Sequence, residues 1–396
     1  MSLCPLDPVL ATALKEQNFH HLFRHRLMLE SPQGTEVVIN GRQCLAFCSN
    51  DYLGLANHPD VVRVFQQAAN RYGLGGGASH LIVGHSRAHH QLEEALAEFT
   101  GRPRALLFST GYMANLGVIS ALSGSQDAVF QDRLNHASLL DAGQLSGARM
   151  QRYRHSDMDD LERRLIKTGG RRKLIVTDGV FSMDGDQAHL CTLWKLARKY
   201  DGWLMVDDAH GFGCIGEGGR GSARHWNLSM EQLPILLGTL GKAFGTAGAF
   251  VAGSDILIET LIQFARPYIY TTAMPPAIAE ATRASLVILE NEQWRRDHLK
   301  VLVDYFRKGC AALELPLMAS NTPIQPILVG DIQHALMMSD ALLKQGILVT
   351  AIRPPTVPKG ESRLRVTFCA RHSLEHVDRL LDALGKISGQ LRATAA

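Results

Sequence analysis

No CxxC pair occurs among the seven cysteines, and none of them has the spacing of a structural metal site. They read as a reduced thiol set, not as a disulfide or zinc framework. Excess charge is missing too. A formal net charge of +3 over 396 residues is too small to imply a nucleic-acid partner, although small anionic ligands stay open. The N-terminus, MSLCPLDPVLATALKEQNFHHLF, has no basic region followed by an apolar run, so no secretory signal is expected. Repeats and low-complexity tracts are absent. The stretch Leu233–Gly253, LPILLGTLGKAFGTAGAFVAG, is about as long as a membrane span. Its five glycines, its proline and its central lysine argue instead for a buried strand, a turn and another strand. What remains is a cytoplasmic globular chain of ordinary composition, 46% hydrophobic and 20% charged, long enough for two or three lobes.

Within that apolar stretch stands one charge. Between Glu231 and Asp255 only Lys242 is ionisable. Burial penalises an ammonium, lowers its pKa and makes the neutral amine accessible. A neutral amine is a carbonyl nucleophile, the form that joins aldehydes such as pyridoxal phosphate. A lysine snorkelling to the surface along its stem is the plain alternative, and the surroundings decide between them.

Residues 8–28 read as an amphipathic helix and 36–48 as a short strand pair. The glycine cluster of Gly73, Gly75, Gly76, Gly77 and Gly84 follows, and then a helical pattern over 89–100. Short β-rich runs at 105–109, 128–131, 173–177, 203–206, 235–239 and 249–252 alternate with helical segments, which predicts crossover units and a mainly parallel sheet covered on both faces. From about Ala277 a helical region runs to Leu313. Strand-like runs follow at 323–329, 347–352 and 364–368, and a last helix over 374–391. Three parts are expected: an N-terminal segment 1–50 packing with the small domain, a large domain 51–285, and a C-terminal α+β domain 286–396.

Ligands of parallel sheets sit where strand ends meet their loops. After 105–109 comes Thr110-Gly111-Tyr112, a small-residue turn opening a helix, suited to a phosphate. After 128–131 comes His136 at a helix start, after 173–177 the loop DGVFSMDGD with Ser182, and after 203–206 the run Asp207-Asp208-Ala209-His210. Thr239 ends the next strand, just before Lys242. Metal ligation at Asp207 and His210 lacks a third ligand at convincing spacing, so no metal is expected there. A buried carboxylate needs a cationic partner, and the protonated nitrogen of a pyridine ring is one. Phosphate cradle, imidazole, carboxylate and isolated lysine at successive strand ends together match what pyridoxal phosphate requires.

The motifs NDYLGL (50–55), NHASLLDA, DGVFSMDGD, VDDAHGFGCIGEGGRG and GTLGKAFG resemble those of the α-oxoamine synthases over nearly the whole chain. This resemblance implies the aspartate-aminotransferase-like fold of pyridoxal phosphate enzymes (fold type I), with a seven-stranded sheet. It implies that Lys242 holds the cofactor and later moves a Cα proton, that Asp207 pairs with the ring nitrogen, and that His136 stacks on the ring. His210 and Ser182 would reach the ring's phenolic oxygen. Gly111, Tyr112 and Thr239 would hold the phosphate, and Thr271 or Thr272 the phosphate of the neighbouring subunit in a homodimer with active sites at the interface. Arg24, Asn50, Ser79, Arg353, Thr356 and Arg365 are the implied substrate contacts, the arginines because a guanidinium fork matches a carboxylate. The segment AIRPPTVP (351–358) points within the family to the member that condenses L-alanine with pimeloyl-CoA, or its acyl-carrier-protein equivalent, toward biotin. Members using glycine and shorter acyl-CoAs, such as 2-amino-3-ketobutyrate ligase and 5-aminolevulinate synthase, are the alternatives. A nucleotide-binding dehydrogenase is disfavoured, because the glycine cluster follows a helix pattern and no acidic residue fits a ribose partner.

Overall fold

The computed structural model describes residues 6–395, with side chains to residue 389; Cys4 and the first residues of the expected N-terminal segment lie outside the described residues. Strands β1 (Glu36–Ile39) and β2 (Arg42–Ala46) form a hairpin. The central sheet then takes β3 (Arg104–Phe108), β4 (Ala128–Asp132), β5 (Arg149–Tyr153), β6 (Lys173–Asp178), β7 (Gly202–Asp207), β8 (Ile235–Thr239) and β9 (Ala249–Gly253). Their order is β3-β9-β8-β7-β6-β4-β5. Pairs β4–β5, β4–β6, β6–β7 and β7–β8 are parallel, and β9 runs antiparallel to both β8 and β3. This is the expected seven-stranded, mainly parallel α/β architecture.

Alternating side chains divide the core between the two faces of this sheet. Leu106, Val129, Val176, Met205, Leu237 and Val251 pack on one side. Leu107, Phe130, Ile175, Leu204, Leu236 and Phe250 pack on the other. Both faces are apolar, which is why the strands read as continuous hydrophobic runs and not as alternating ones. Strand β5, RMQRY, escaped that reading because it is a sheet edge with one buried residue.

The C-terminal strands are β10 (Ile324–Gly330), β11 (Ile347–Leu348), β12 (Thr350–Ile352) and β13 (Ser362–Thr367). The expected single strand over 347–352 is two. Strand β11 pairs parallel with β2, whereas β12 joins β13 and β10 in a separate antiparallel sheet. The chain thus changes sheets within a few residues and ties the N-terminal hairpin to the C-terminal part. The expected helix over 277–313 is likewise two helices, Pro276–Asn291 and Trp294–Ala312. The first helix spans Asp7–Phe19 and buries none of its residues, so residues 20–28 are not helical as expected. His21 adopts a positive φ of 58°, and Arg353 binds the His21 and Phe23 carbonyls at 2.7 and 2.5 Å, which ties this stretch to the residues after β12.

Between β8 and β9 the chain makes the turn that carries Lys242. Gly245 N–H donates to the Lys242 carbonyl at 2.8 Å, and Thr246 N–H to that of Leu240 at 2.9 Å. Gly245 has φ +67°, and a Cβ there would meet Ala56 N at 2.4 Å, so the NDYLGL backbone and the lysine turn abut without room for a side chain. Left-handed strain plus backbone displacement should make Gly245→Ala less stable by about 2 kcal/mol or more. Urea unfolding of the cofactor-free protein measures this, and a loss under about 0.5 kcal/mol would show that the turn is not so constrained.

Candidate active site

The carboxyl ends of β3, β4, β6, β7 and β8 lie on one edge of the sheet, and each delivers a polar group. Asp178 and Asp207 are register partners at the ends of β6 and β7, both buried. Burial first, and the neighbouring Asp207 next, push Asp178 well above the usual carboxylate range. Asp178 accepts the His136 N–H at 2.7 Å and so fixes the start of the helix Ala137–Leu145. Asp207 accepts from Asn115 Nδ2 at 2.7 Å and from Ala209 N–H at 3.0 Å.

Asn115, on the helix Gly111–Leu122 that follows β3, also donates to Ser138 Oγ at 2.8 Å. The Ser138 hydroxyl stands 2.7 Å from His136 Nδ1, and Ser138 N–H approaches the same nitrogen at 3.3 Å. Nδ1 is therefore the acceptor, and a neutral His136 carries its proton on Nε2. His136 caps its helix, the plain reading of a histidine at this position, yet its ring is exposed. Tyr112 meets that ring edge-on at 6.4 Å between centroids and donates to Asp141.

Lys242 is not surrounded by apolar groups alone, as its sequence neighbours suggested. The side chain is half-buried, and its Nζ lies 2.9 Å from His210 Nε2. Desolvation lowers its pKa to about 8, against the opposing pull of Asp207 and Asp178 and with help from Arg365. His210 is buried and held well below its ordinary value, by desolvation first and then by Lys242, Arg365 and His136. Its Nδ1 is 2.7 Å from Tyr52 Oη, which also reaches Asn50 Oδ1 at 3.2 Å. With Tyr52 donating to Asn50, His210 donates through Nδ1 and accepts the lysine amine on Nε2.

Arg365 donates to Asn50 Oδ1 from both terminal nitrogens at 3.2 Å, and through Nε to the Ser182 carbonyl at 2.6 Å. The structure thus brings Asn50, His136, Ser182, Asp207, His210, Lys242 and Arg365 into one region. Arg353 is turned elsewhere, onto the carbonyls of residues 21 and 23, and Arg24, beside it, is exposed. Thr356 is an exposed residue whose N–H closes a turn onto the Arg353 carbonyl at 3.1 Å. Ser79 bridges to Thr272, and the Thr272 carbonyl accepts from Ser109 Oγ at 3.4 Å, so Thr271 and Thr272 lie against the glycine-rich segment of their own chain. A cavity of about 470 Å³ lies not here but beside helix Arg87–Thr100.

Sequence reasoning passed over Tyr52, Asn115, Ser138 and Asp178. Asn115 left a signal, being the lone amide in the apolar helix GYMANLGVISAL.

A phosphate-bearing cofactor fits these residues. Thr239 Oγ1 is buried without a partner. A Cβ at Gly111 would lie 2.7 Å from Thr239 Cγ2, so only glycine brings the helix start so close. Thr110 caps the Met113 N–H, and the N–H groups of Gly111 and Tyr112, at the helix start, have no partner within the helix, as an anion site requires.

Fold and site together define a pyridoxal phosphate enzyme, and the comparisons agree. A family profile described as aminotransferase class I and II matches residues 42–384, and the chain belongs to that family. More narrowly, an 8-amino-7-oxononanoate synthase of Nitrosococcus oceani is 63% identical over 94% of this chain and 99% of its own length. One from Cellvibrio japonicus is 60% identical over 96% of both. A solved serine palmitoyltransferase from S. paucimobilis with PLP–myriocin bound superposes with TM-score 0.92 at 30% identity, covering 99% of this chain and 100% of that one. A Francisella tularensis 8-amino-7-oxononanoate synthase gives 0.78 at 32%, covering 89% and 99%. Pyridoxal phosphate is the cofactor.

Removing Asn115 deprives a buried carboxylate of a charge-assisted hydrogen bond and leaves a small void. Asn115→Ala should lose about 2–4 kcal/mol of stability without cofactor. Calorimetry of the apoprotein checks this, and an unchanged melting temperature would deny the Asn115–Asp207 bond.

Proposed function

We propose that the chain condenses L-alanine with a pimeloyl thioester, carried by CoA or an acyl-carrier protein, to give 8-amino-7-oxononanoate, carbon dioxide and free thiol for biotin synthesis. The observation that carries the chemistry is the depressed amine of Lys242 beside His210, at the strand edge that holds Asp207. Near-full-length relatives of that activity at 60–63% identity support the choice of substrates.

Pyridoxal phosphate, once bound, supplies an aldehyde for amines and a ring that takes up the electron pair of a carbanion beside the amine. Lys242, partly neutral near pH 8, would hold the cofactor through its amine. The same amine would serve as general base for the alanine Cα proton. Asp207, oriented by Asn115 and Ala209, would pair with the ring nitrogen, and His136 would stack on the ring. His210 and Ser182 would reach the phenolic oxygen, and Gly111, Tyr112 and Thr239 would hold the phosphate. Asn50 and Arg365 suit a substrate carboxylate, since the Arg365 fork already meets an oxygen acceptor there. Arg24, Arg353 and Thr356 are the other substrate contacts of this reading, and Ser79 would lie beside the amino acid.

In the acyl step the alanine Cα attacks the thioester carbonyl, and the C–S bond breaks to release a thiolate that takes its proton from water. The alanine carboxylate then leaves as carbon dioxide. The Lys242 ammonium returns a proton to Cα and recovers its neutral form for the next cycle. Thr271 or Thr272 reaches the phosphate of a second copy, making the working unit a homodimer with shared sites. We place the reaction in the cytoplasm, consistent with the free thiols at Cys44, Cys48, Cys191, Cys214, Cys310 and Cys369. The division at residues 50 and 285 belongs to the same proposal.

Lys242→Ala should abolish the visible absorbance of the bound cofactor and lower turnover by about four decades or more. Asp207→Asn should still bind cofactor but turn over several decades more slowly. Incubation of alanine and glycine with an acyl-CoA panel tests the substrates: alanine with pimeloyl-CoA should lead, and preference for glycine with a short acyl group would overturn the assignment.

A further inference from the structure

Away from the active site, helix Arg87–Thr100 and the turn before it carry a histidine cluster that the reaction does not use. His90 and Glu93 stand three residues apart on the helix and share a face, and His85 approaches from the turn. The ligating atoms of His85, His90 and Glu93 all lie within 4.8 Å of one another, and no ion is present there. His85 Nε2 is 3.9 Å from Glu93 Oε2. Two ligands of a tetrahedral Zn²⁺, with bonds near 2.1 Å, lie about 3.4 Å apart. Rotamer adjustment of the exposed His90 brings the third atom into range, because exposed side chains change rotamer freely.

The surroundings favour ligation. Glu93 is anchored, its Oε1 accepting the Leu107 N–H at 3.0 Å, which leaves Oε2 toward His85. His85 Nδ1 contacts His80 Nδ1 at 3.1 Å, a support for the ring orientation of the kind ligating histidines need. The cluster opens into a cavity of about 470 Å³, giving an entry path and room for a fourth ligand. Two contacts compete: Glu94 stands 3.5 Å from His90 Nε2, and Arg104 lines the same cavity, although it faces Glu259 at 3.5 Å.

We propose that His85, His90 and Glu93 form a site for a divalent transition metal of the Zn²⁺ class. Occupancy would tie the turn His80–Gly84 to the helix that follows it. His89, on the same helix, holds the Met274 carbonyl at 2.7 Å, and Ser79, just before the turn, pairs with Thr272. Metal therefore stiffens the stretch from the glycine cluster to Thr271 and Thr272.

The test is equilibrium dialysis of the holoenzyme against Zn²⁺ with a non-chelating phosphine reductant, the bound metal being measured by elemental analysis. Wild type should take up one equivalent per chain. His90→Gln and His85→Phe should each weaken binding tenfold or more while leaving the metal-free condensation rate unchanged. Wild-type uptake no tighter than that of the double variant overturns the proposal. So does loss of binding in His155→Gln alone, which would place the metal at the other candidate cluster of His155, Asp184 and Asp186.

Discussion

The structure turns on one amine kept only partly protonated between groups that pull in opposite directions. Desolvation and Arg365 push the Lys242 proton off, while Asp207 and Asp178 draw it back, and the balance lies near pH 8. Remove the carboxylates and the lysine would lose its proton at still lower pH, leaving less ammonium to donate. Remove the burial and it would be a permanent ammonium, unable to attack a carbonyl. The contact with His210 fixes where that amine points, and Tyr52, Asn50 and Arg365 fix His210 in turn. A single hydrogen-bonded chain therefore links the residue that meets the cofactor to those suited to bind the amino acid.

The sheet makes this possible by geometry. Parallel strands aligned in order deliver Thr239, Asp207, Asp178 and the His136 loop to the same edge, each one strand spacing from the next. Buried on both faces, the strands are rigid supports, and the polar residues at their ends can be desolvated without threatening the core. Asp178 illustrates the division of work: it does no chemistry in this account but holds the His136 backbone and completes the carboxylate pair that sets the lysine.

Much of this was legible in the amino-acid order, because strand ends follow from apolar runs and the residues after them follow from the strands. Lys242, Asp207 and His136 were visible for that reason, and so were six of the seven central strands. Groups that act through other groups were not. Tyr52 is distant in sequence from His210, and only folding brings their rings together. Ser138 and Asn115 look like ordinary helix residues until folding sets Asn115 between Ser138 and Asp207. Edge strand β5 lacked an apolar run, and the early helix was overextended because nothing local announces that Arg353 will clasp the carbonyls of residues 21 and 23. The apolar neighbours of Lys242 in sequence were also misleading, since its neighbours in space are an imidazole and carboxylates.

The central claim is a protonation state, so the most direct measurement is the titration of that one amine. Carbon-13-labelled lysine, followed by NMR in the cofactor-free protein and assigned by its loss in a Lys242→Arg variant, reports the pKa of Lys242 alone. The account requires a midpoint of about 8, moving lower in an Asp207→Asn background because an attracting charge is gone. A midpoint at the ordinary lysine value of about 10.5, indifferent to Asp207, would contradict it.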